Sequence, residues 1–361
     1  MSRIVTIDTV AYRLPLRGAL AWGKESVIDS AEAVLVGVTA ESGARGVAEA
    51  PPRPTIYGET RASIEAAVRD LMAPRLVGRE LADLAGARAA VAFLAGNQTA
   101  KGALDMALHD ALARERGITL PELLGAGARE VEVSYILGLG DLRAALAEAR
   151  WVVDRGVRVL KVKIAGDLAA DRGLLRALRI ELGPTVRLYV DANETLDPAT
   201  AAEHLARLRD EGALWAEEPL PIERLRDRAA LRARGVLPLI ADDSAFSLRD
   251  LERELEADTF DVLNLKPART GYQESRAMHE RARARGKGVM VGSQASTTIG
   301  TARAAAFAGL AGVDFPCELA FFLKLEAEIV DRPLEIRDGR LDLSAAAAVE
   351  IDAAQLAKFA I

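Results

Sequence analysis

"VRVLKVKIAGD", residues 157–167, is an apolar, β-branched run bounded by Gly156 and Gly166 that carries two lysines in its middle. Alternate residues of a strand share a face, so Lys161 and Lys163 point one way while Leu160, Val162 and Ile164 point the other. Two ammonium groups therefore crowd together beside an apolar wall.

The same rhythm of short apolar strand, polar tip and helix recurs from about Ala128 onward. The strands are "VEVSYIL" (131–137), "VLKVKI" (159–164), "RLYVDA" (187–192), "LWAEEP" (214–219), "LPLIADDS" (237–244), "DVLNLKP" (261–267), "GVMVGS" (288–293) and a weaker "GVDFPCEL" (312–319). Helix-like stretches such as "PATAAEHLARLRDEG" separate them. Eight alternating strand–helix units imply a parallel sheet closed into a barrel, with its active site at the C-terminal strand ends. An open doubly wound sheet competes, but no Gly-rich phosphate fingerprint follows the first strand. Before Ala128 the pattern is that of a small α+β unit. "RIVTIDTVAYRLPL" and "AEAVLVGVTAESGARGVAEA" read as a meander, "EAPPRPTIYGET" and "RGALAWGKES" as loops, and the stretch from Thr60 as helices. The expected fold is α/β: a modified TIM barrel over 129–334 with an α+β capping domain over 1–128, completed by about 335–361.

At 361 residues, 38.5 kDa and 50% hydrophobic composition the chain can bury a sizeable core. A net charge of −6 with both signs interspersed argues against nucleic acid or an acidic membrane as partner. The lone Cys317 excludes an internal disulfide and reads as a packed thiol. No signal-peptide pattern and no long apolar run is present, so a cytoplasmic protein acting on a small molecule is expected.

Lys163, Asp191, Glu217, Asp242 and Lys266 are separated by 28, 26, 25 and 24 residues, close to one strand–helix unit each. In a barrel that spacing brings three carboxylates and the lysines to one rim. Three unpaired carboxylates repel and are costly to bury, so a divalent cation is their natural partner, and all-oxygen ligands favour Mg²⁺ or Mn²⁺ over zinc. Glu217 and Glu218 face opposite ways, as do Asp242 and Asp243, and periodicity alone does not choose between them. The chemistry such a rim serves is proton transfer beside a carboxylate, where a divalent ion stabilises an enediolate. Like-charge repulsion from Lys161 is expected to make Lys163 a usable base.

With "KVK" at 161–163, "VDAN" at 190–193, "AEEP" at 216–219, "ADDS" at 241–244 and "NLK" at 264–266, the chain resembles the muconate-lactonizing subgroup of the enolase superfamily along essentially its whole length. The resemblance implies Asp191, Glu217 and Asp242 as metal ligands. It implies Lys163 and Lys266 as acid/base groups assisted by Lys161, with Asn193 and Asp243 behind them. It also implies an isomerase of aromatic catabolism, a homo-oligomer converting a small carboxylate or dicarboxylate, cis,cis-muconate to muconolactone. Loop residues Tyr57, Arg53, Trp22 and Lys24, with Glu318 near the eighth strand, are expected at the substrate.

A racemase or epimerase of N-acyl amino acids or dipeptides would use the same two lysines. Dipeptide epimerases typically carry a D-x-D pair on strand eight, where "GVDFPCEL" has only Asp314. A dehydratase of the mandelate-racemase type needs a strand-seven histidine, absent from "GVMVGSQAS". A non-enzymatic scaffold would have lost a ligand or a base, and none is missing.

Overall fold

A computed structural model describes residues 2–23 and 26–361. Strands β1 (Ile4–Trp22), β2 (Ser26–Ala40) and β3 (Arg45–Ala50) form an antiparallel sheet in that order. The first hairpin is longer than the alternation suggested. Residues 17–22, expected in a loop, continue β1 beyond a register shift between Pro15 and Leu20. Proline lacks the N–H for the ladder, so pairing is interrupted there and then resumes. Helix Gln98–Glu115 packs on this sheet and against helix Pro267–Ala284. Gly102 permits that second contact, because a Cβ there would stand 2.7 Å from the Ala268 carbonyl oxygen.

Seven parallel strands follow: β5 (Tyr135–Leu137), β6 (Val159–Lys163), β7 (Arg187–Asp191), β8 (Ala213–Glu217), β9 (Leu239–Ala241), β10 (Val262–Leu265) and β11 (Gly288–Val291), each paired to its chain neighbour. Most are buried on both faces, as a sheet covered by helices requires. The expected eighth strand is not regular, because Pro316 cannot donate to a ladder. The segment nevertheless occupies the eighth place. Asp314 N and Glu318 N bond the carbonyls of Val289 and Val291 on one side, and Cys317 N bonds Glu132 O on the other. The first barrel stretch is likewise divided. Strand β4 (Glu130–Glu132) leaves the barrel to pair with β13 (Arg340–Asp342), which pairs with β12 (Ile336–Arg337).

The C-terminal segment differs in part from expectation. Strands β12 and β13 lie at the N-terminal end of the barrel, where Gly339 N bonds Gly156 O. Helix Ala353–Phe359, the Tyr12–Ala360 bridge and the bond from Ile361 N to Ala11 O return to β1, and Glu350 pairs with Arg114 of the capping unit.

Inside the barrel, Val159, Tyr189, Ile240, Val262 and Met290 form a separate apolar cluster, with Trp215 and Phe315 packed against it. Two residues further along these strands the inward positions become Lys161, Asp191, Glu217, Asp242 and Asn264. The period of two thus stacks a polar layer on an apolar plug.

Candidate active site

Both lysines of β6 point into the barrel, 2% and 7% exposed. Lys161 Nζ lies 2.5 Å from Glu217 Oε1, 2.5 Å from Glu318 Oε1 and 2.8 Å from Asp191 Oδ2. Burial works to lower its pKa, but Asp191, Glu217 and Glu318 together hold the ammonium well above the ordinary lysine range. Lys163 Nζ donates to the same Asp191 Oδ2 at 2.6 Å and to Asn193 Oδ1 at 2.7 Å. The two ammonium groups that the sequence sets side by side share one carboxylate, Asp191, and Lys161 is compensated by two more. Across the rim Lys266 Nζ lies 2.5 Å from Asp242 Oδ2, and this carboxylate holds it above the ordinary range against burial.

The two ambiguous acid pairs divide by backbone geometry. Glu217 faces Lys161, with its other oxygen accepting from Asn264 Nδ2 at 3.2 Å. At Glu218 the backbone turns to φ 35°, a left-handed value rare outside glycine. This carries its carboxylate back to accept from Asp242 N (2.6 Å), Ser244 N (2.9 Å) and Ser244 Oγ (2.6 Å). Glu218 thus ties down the loop that follows β9. Asp242 stays below the ordinary range although burial opposes it, because Lys266 and Arg269 stand near. Burial and the adjacent Asp242 raise Asp243, whose contact is Arg269 Nη1 at 3.3 Å.

A cavity of about 70 Å³ opens between these groups and the cap. Lys161, Lys163, Lys266, Asn193, Asp242, Asp243 and Glu318 line one side, and Leu20, Trp22, Arg53, Ile56 and Tyr57 face them from the cap. Tyr57 packs its ring 5.1 Å from that of Phe246, and burial pushes its phenol up to about 12. Trp22 also borders an adjoining cavity with Ser26, Thr55 and Phe246. Lys24 lies outside the described residues.

Arg53 and Glu318 both line the cavity while their polar atoms are engaged by other parts of the chain. Arg53 is 4% exposed, and it donates to the carbonyls of Pro52 (2.6 Å), Gln294 (2.6 Å) and Ala295 (3.2 Å). It clamps cap to barrel. Glu318 lies on the cavity floor, accepting from Lys161, from Asn264 Nδ2 at 3.1 Å and from Ser293 N at 3.1 Å.

Three residues escaped the sequence reading. Asn264 could have been found by counting back two from Lys266. Arg269 is 1% exposed, near Asp242 and Asp243 and 4.6 Å from the Phe246 ring. Gln294, beyond β11, lines the cavity and carried no motif. Asp314 is an exposed ion-pair partner of Arg283 and does not line this cavity.

Asp191, Glu217 and Asp242 supply only carboxylate oxygens, which suits a hard divalent cation. Asp242 Oδ1 is buried without a hydrogen bond, and Arg269 Nη1 is 3.5 Å away. Burial, together with the charges of Asp191, Glu318 and Asp242, raises Glu217 well above the carboxylate range although Lys161 opposes this. An added cation would relieve both features, so the residues fit one. Among the described residues no three acid, His or Cys side chains converge to hold an ion, and Asp191, Glu217 and Asp242 are each paired with a lysine.

Residues 143–354 match the enolase C-terminal domain-like family, and residues 4–125 match the mandelate racemase/muconate lactonizing enzyme N-terminal domain. The chain belongs to the mandelate racemase/muconate lactonizing enzyme family of the enolase superfamily, whose members are enzymes that generally use a divalent metal, usually Mg²⁺. It is 30% identical to L-Ala-D/L-Glu epimerase of Bacillus subtilis, over 85% of either chain. It is 32% identical to muconate cycloisomerase 1 of Pseudomonas putida, over 91% of this chain and 90% of that one. The muconate lactonizing enzyme of Mycobacterium smegmatis, solved with muconolactone, superposes with a TM-score of 0.95 at 33% identity, over 99% of this chain and 100% of the other. Among the described residues no helix is long and apolar enough to cross a membrane.

Proposed function

We propose that this chain is a muconate cycloisomerase, closing cis,cis-muconate to muconolactone. The observation that carries this reading is the charge of the cavity. Lys161, Lys163, Lys266 and Arg53 outnumber Asp242, Asp243 and Glu318 along it, and a bound divalent cation would add to that positive excess, which suits a substrate with a carboxylate at each end. Of the two acids on the eighth segment, Asp314 is paired outward to Arg283 and Glu318 is paired to Lys161, so no D-x-D pair stands there for a substrate ammonium. The likeness to the lactonizing enzyme solved with its product supports the same reading.

Asp191, Glu217 and Asp242 would hold Mg²⁺ or Mn²⁺. When bound, the cation supplies positive charge to the substrate carboxylate beside the reacting carbon. The chain's own residues do the rest. Trp22, Ile56 and Tyr57 exclude water from above, and the far carboxylate of the bent diene is held where one of its oxygens reaches the alkene. That oxygen forms the new C–O bond, and the alkene electron pair moves onto the conjugated carboxylate as an enediolate. Lys163 then delivers one proton to the α-carbon, and Asn193, bonded to Nζ, aims it. Lys266 serves the opposite face as a fixed positive charge. Lys161 keeps Asp191, Glu217 and Glu318 together.

Purified protein with Mn²⁺ is expected to remove the diene absorbance of cis,cis-muconate, and neither EDTA-treated protein nor Lys163→Ala should do so. Metal-bound protein that leaves the absorbance unchanged would turn attention to the second reading, epimerisation of N-acyl amino acids or dipeptides. Lys163 and Lys266 front the same cavity, as a two-base epimerase requires, and the Bacillus relative is an L-Ala-D/L-Glu epimerase. Deuterium uptake at the α-carbon of those substrates would mark it.

A further inference from the structure

The side chain of Gln294 is 5% exposed and lines the cavity, and both Oε1 and Nε2 are buried without a hydrogen-bond partner among the described residues. A buried primary amide left unpaired is costly, and here the cost is maintained by the surroundings. Arg53 grips the Gln294 and Ala295 carbonyls from the cap side. Ala295 sits at φ 54°, a left-handed value that a non-glycine residue adopts only when its neighbours impose it. Before this turn Ser293 N bonds Glu318, and after it Thr297 N bonds Glu49 Oε1 at 2.7 Å. The amide is thus aimed into the cavity by a backbone pinned on both sides.

Its position is equally informative. Gln294 follows β11, and Asp191 ends β7, four places away in the ring of seven strands and one irregular segment, hence across the barrel mouth.

We propose that Gln294 is a substrate-positioning residue whose Nε2–H groups hold the attacking carboxylate of the dicarboxylate substrate, the end remote from Asp191 and Glu217. This rests on the cycloisomerase reading and deepens it. A neutral amide orients that carboxylate without neutralising it, so its oxygen keeps its nucleophilicity for ring closure. A cation in the same place would stabilise the unreacted carboxylate and slow the attack. Arg53 is spent on backbone carbonyls, leaving the neutral donor to face the substrate.

The test separates the residue from the reaction. Adipate, a saturated six-carbon dicarboxylate, and hexanoate, the matching monocarboxylate, are titrated calorimetrically into Mg²⁺-loaded wild type and Gln294→Met, a substitution of similar length that cannot donate. The expected result is adipate binding weakened roughly ten- to hundredfold with hexanoate nearly unchanged, as loss of a hydrogen bond to a charged group implies. Gln294→Glu should abolish adipate binding by charge repulsion, and Tm should confirm that both variants are folded. Equal adipate affinity in wild type and Gln294→Met overturns the assignment, as does wild type that binds no adipate. With muconate as substrate the methionine variant should show a raised KM and a lowered kcat. Gln294-dependent adipate binding in a wild type that leaves muconate intact upholds the carboxylate contact and removes the cycloisomerase reading alone.

Discussion

At Lys163 one ammonium group meets the cavity while bonded to Asp191 and Asn193. Replacing it with alanine removes the proton donor but no proposed metal ligand. Turnover should fall by about 10²–10⁴ or more while Mn²⁺ still binds. Substantial remaining turnover in Lys163→Ala would remove this lysine from the chemistry. Asp242 and Asp243 give a sharper comparison. Asp242 presents one oxygen to Lys266 and leaves the other without a hydrogen bond, whereas Asp243 meets Arg269. Asp242→Asn should therefore weaken Mn²⁺ binding, measured by titration, far more than Asp243→Asn. The reverse order would move the ligand by one residue. At this scale near-constant spacing already marked the charged positions, because each barrel strand ends one strand–helix unit after the last. The choice between Glu217 and Glu218 was not legible. It depends on a left-handed turn and on amides from the following loop, which are tertiary features. Gln294 was missed for a related reason, since its significance lies in lacking a partner.

Among the elements, the helix carrying Arg269 shows how one glycine sets the geometry of a whole element. Gly271 sits at φ 67°, ψ 177° inside helix Pro267–Ala284, a conformation that is essentially glycine's alone. The kink lets Asp105 of the cap accept from Tyr272 N and Gln273 Nε2, and a Cβ at 271 would stand 2.7 Å from the Asp105 side chain. Gly271→Ala is expected to cost about 1–3 kcal/mol, read as a lower denaturation midpoint, and to reduce activity by moving Arg269 against Asp242. A midpoint equal to wild type would show that the turn relaxes freely. Strand–helix alternation made seven of the barrel strands legible, because each is a compact apolar run. It overestimated the eighth, where Pro316 permits hydrogen bonds to both neighbours without a continuous ladder. It shortened the first hairpin, since the stretch from Arg17, with Gly18 in it, read as a loop although pairing resumes at Leu20.

For the whole molecule, the seam between cap and barrel decides how the cavity is shaped, and it is built from buried charge. Glu49 of β3 accepts from Tyr12 Oη at 2.8 Å and from the backbone and side chain of Thr297. Arg303 reaches Val47 O at 2.7 Å and Asp110 at 2.8 Å. Beside Glu49 lies Glu328, one oxygen bonded to Thr298 Oγ1 at 2.6 Å and the other buried without a hydrogen bond. Burial, with the charge of Glu49 added, raises Glu328 from an ordinary 4.5 to about 7, against the Thr298 bond. The folded protein therefore binds a proton here that the unfolded chain gives up at lower pH. The stability this group contributes is fully present below about 4.5 and is lost as the pH rises through about 7. A rise of that size corresponds to at most about 3 kcal/mol, and partial contact with solvent brings it to on the order of 1–2 kcal/mol. Glu328→Gln keeps the acceptor for Thr298 and removes the titration. It should match wild type in denaturant unfolding at pH 5 and be the more stable of the two at pH 8. Parallel stability curves at the two pH values would mean that Glu328 ionises no differently in the folded seam than in the unfolded chain.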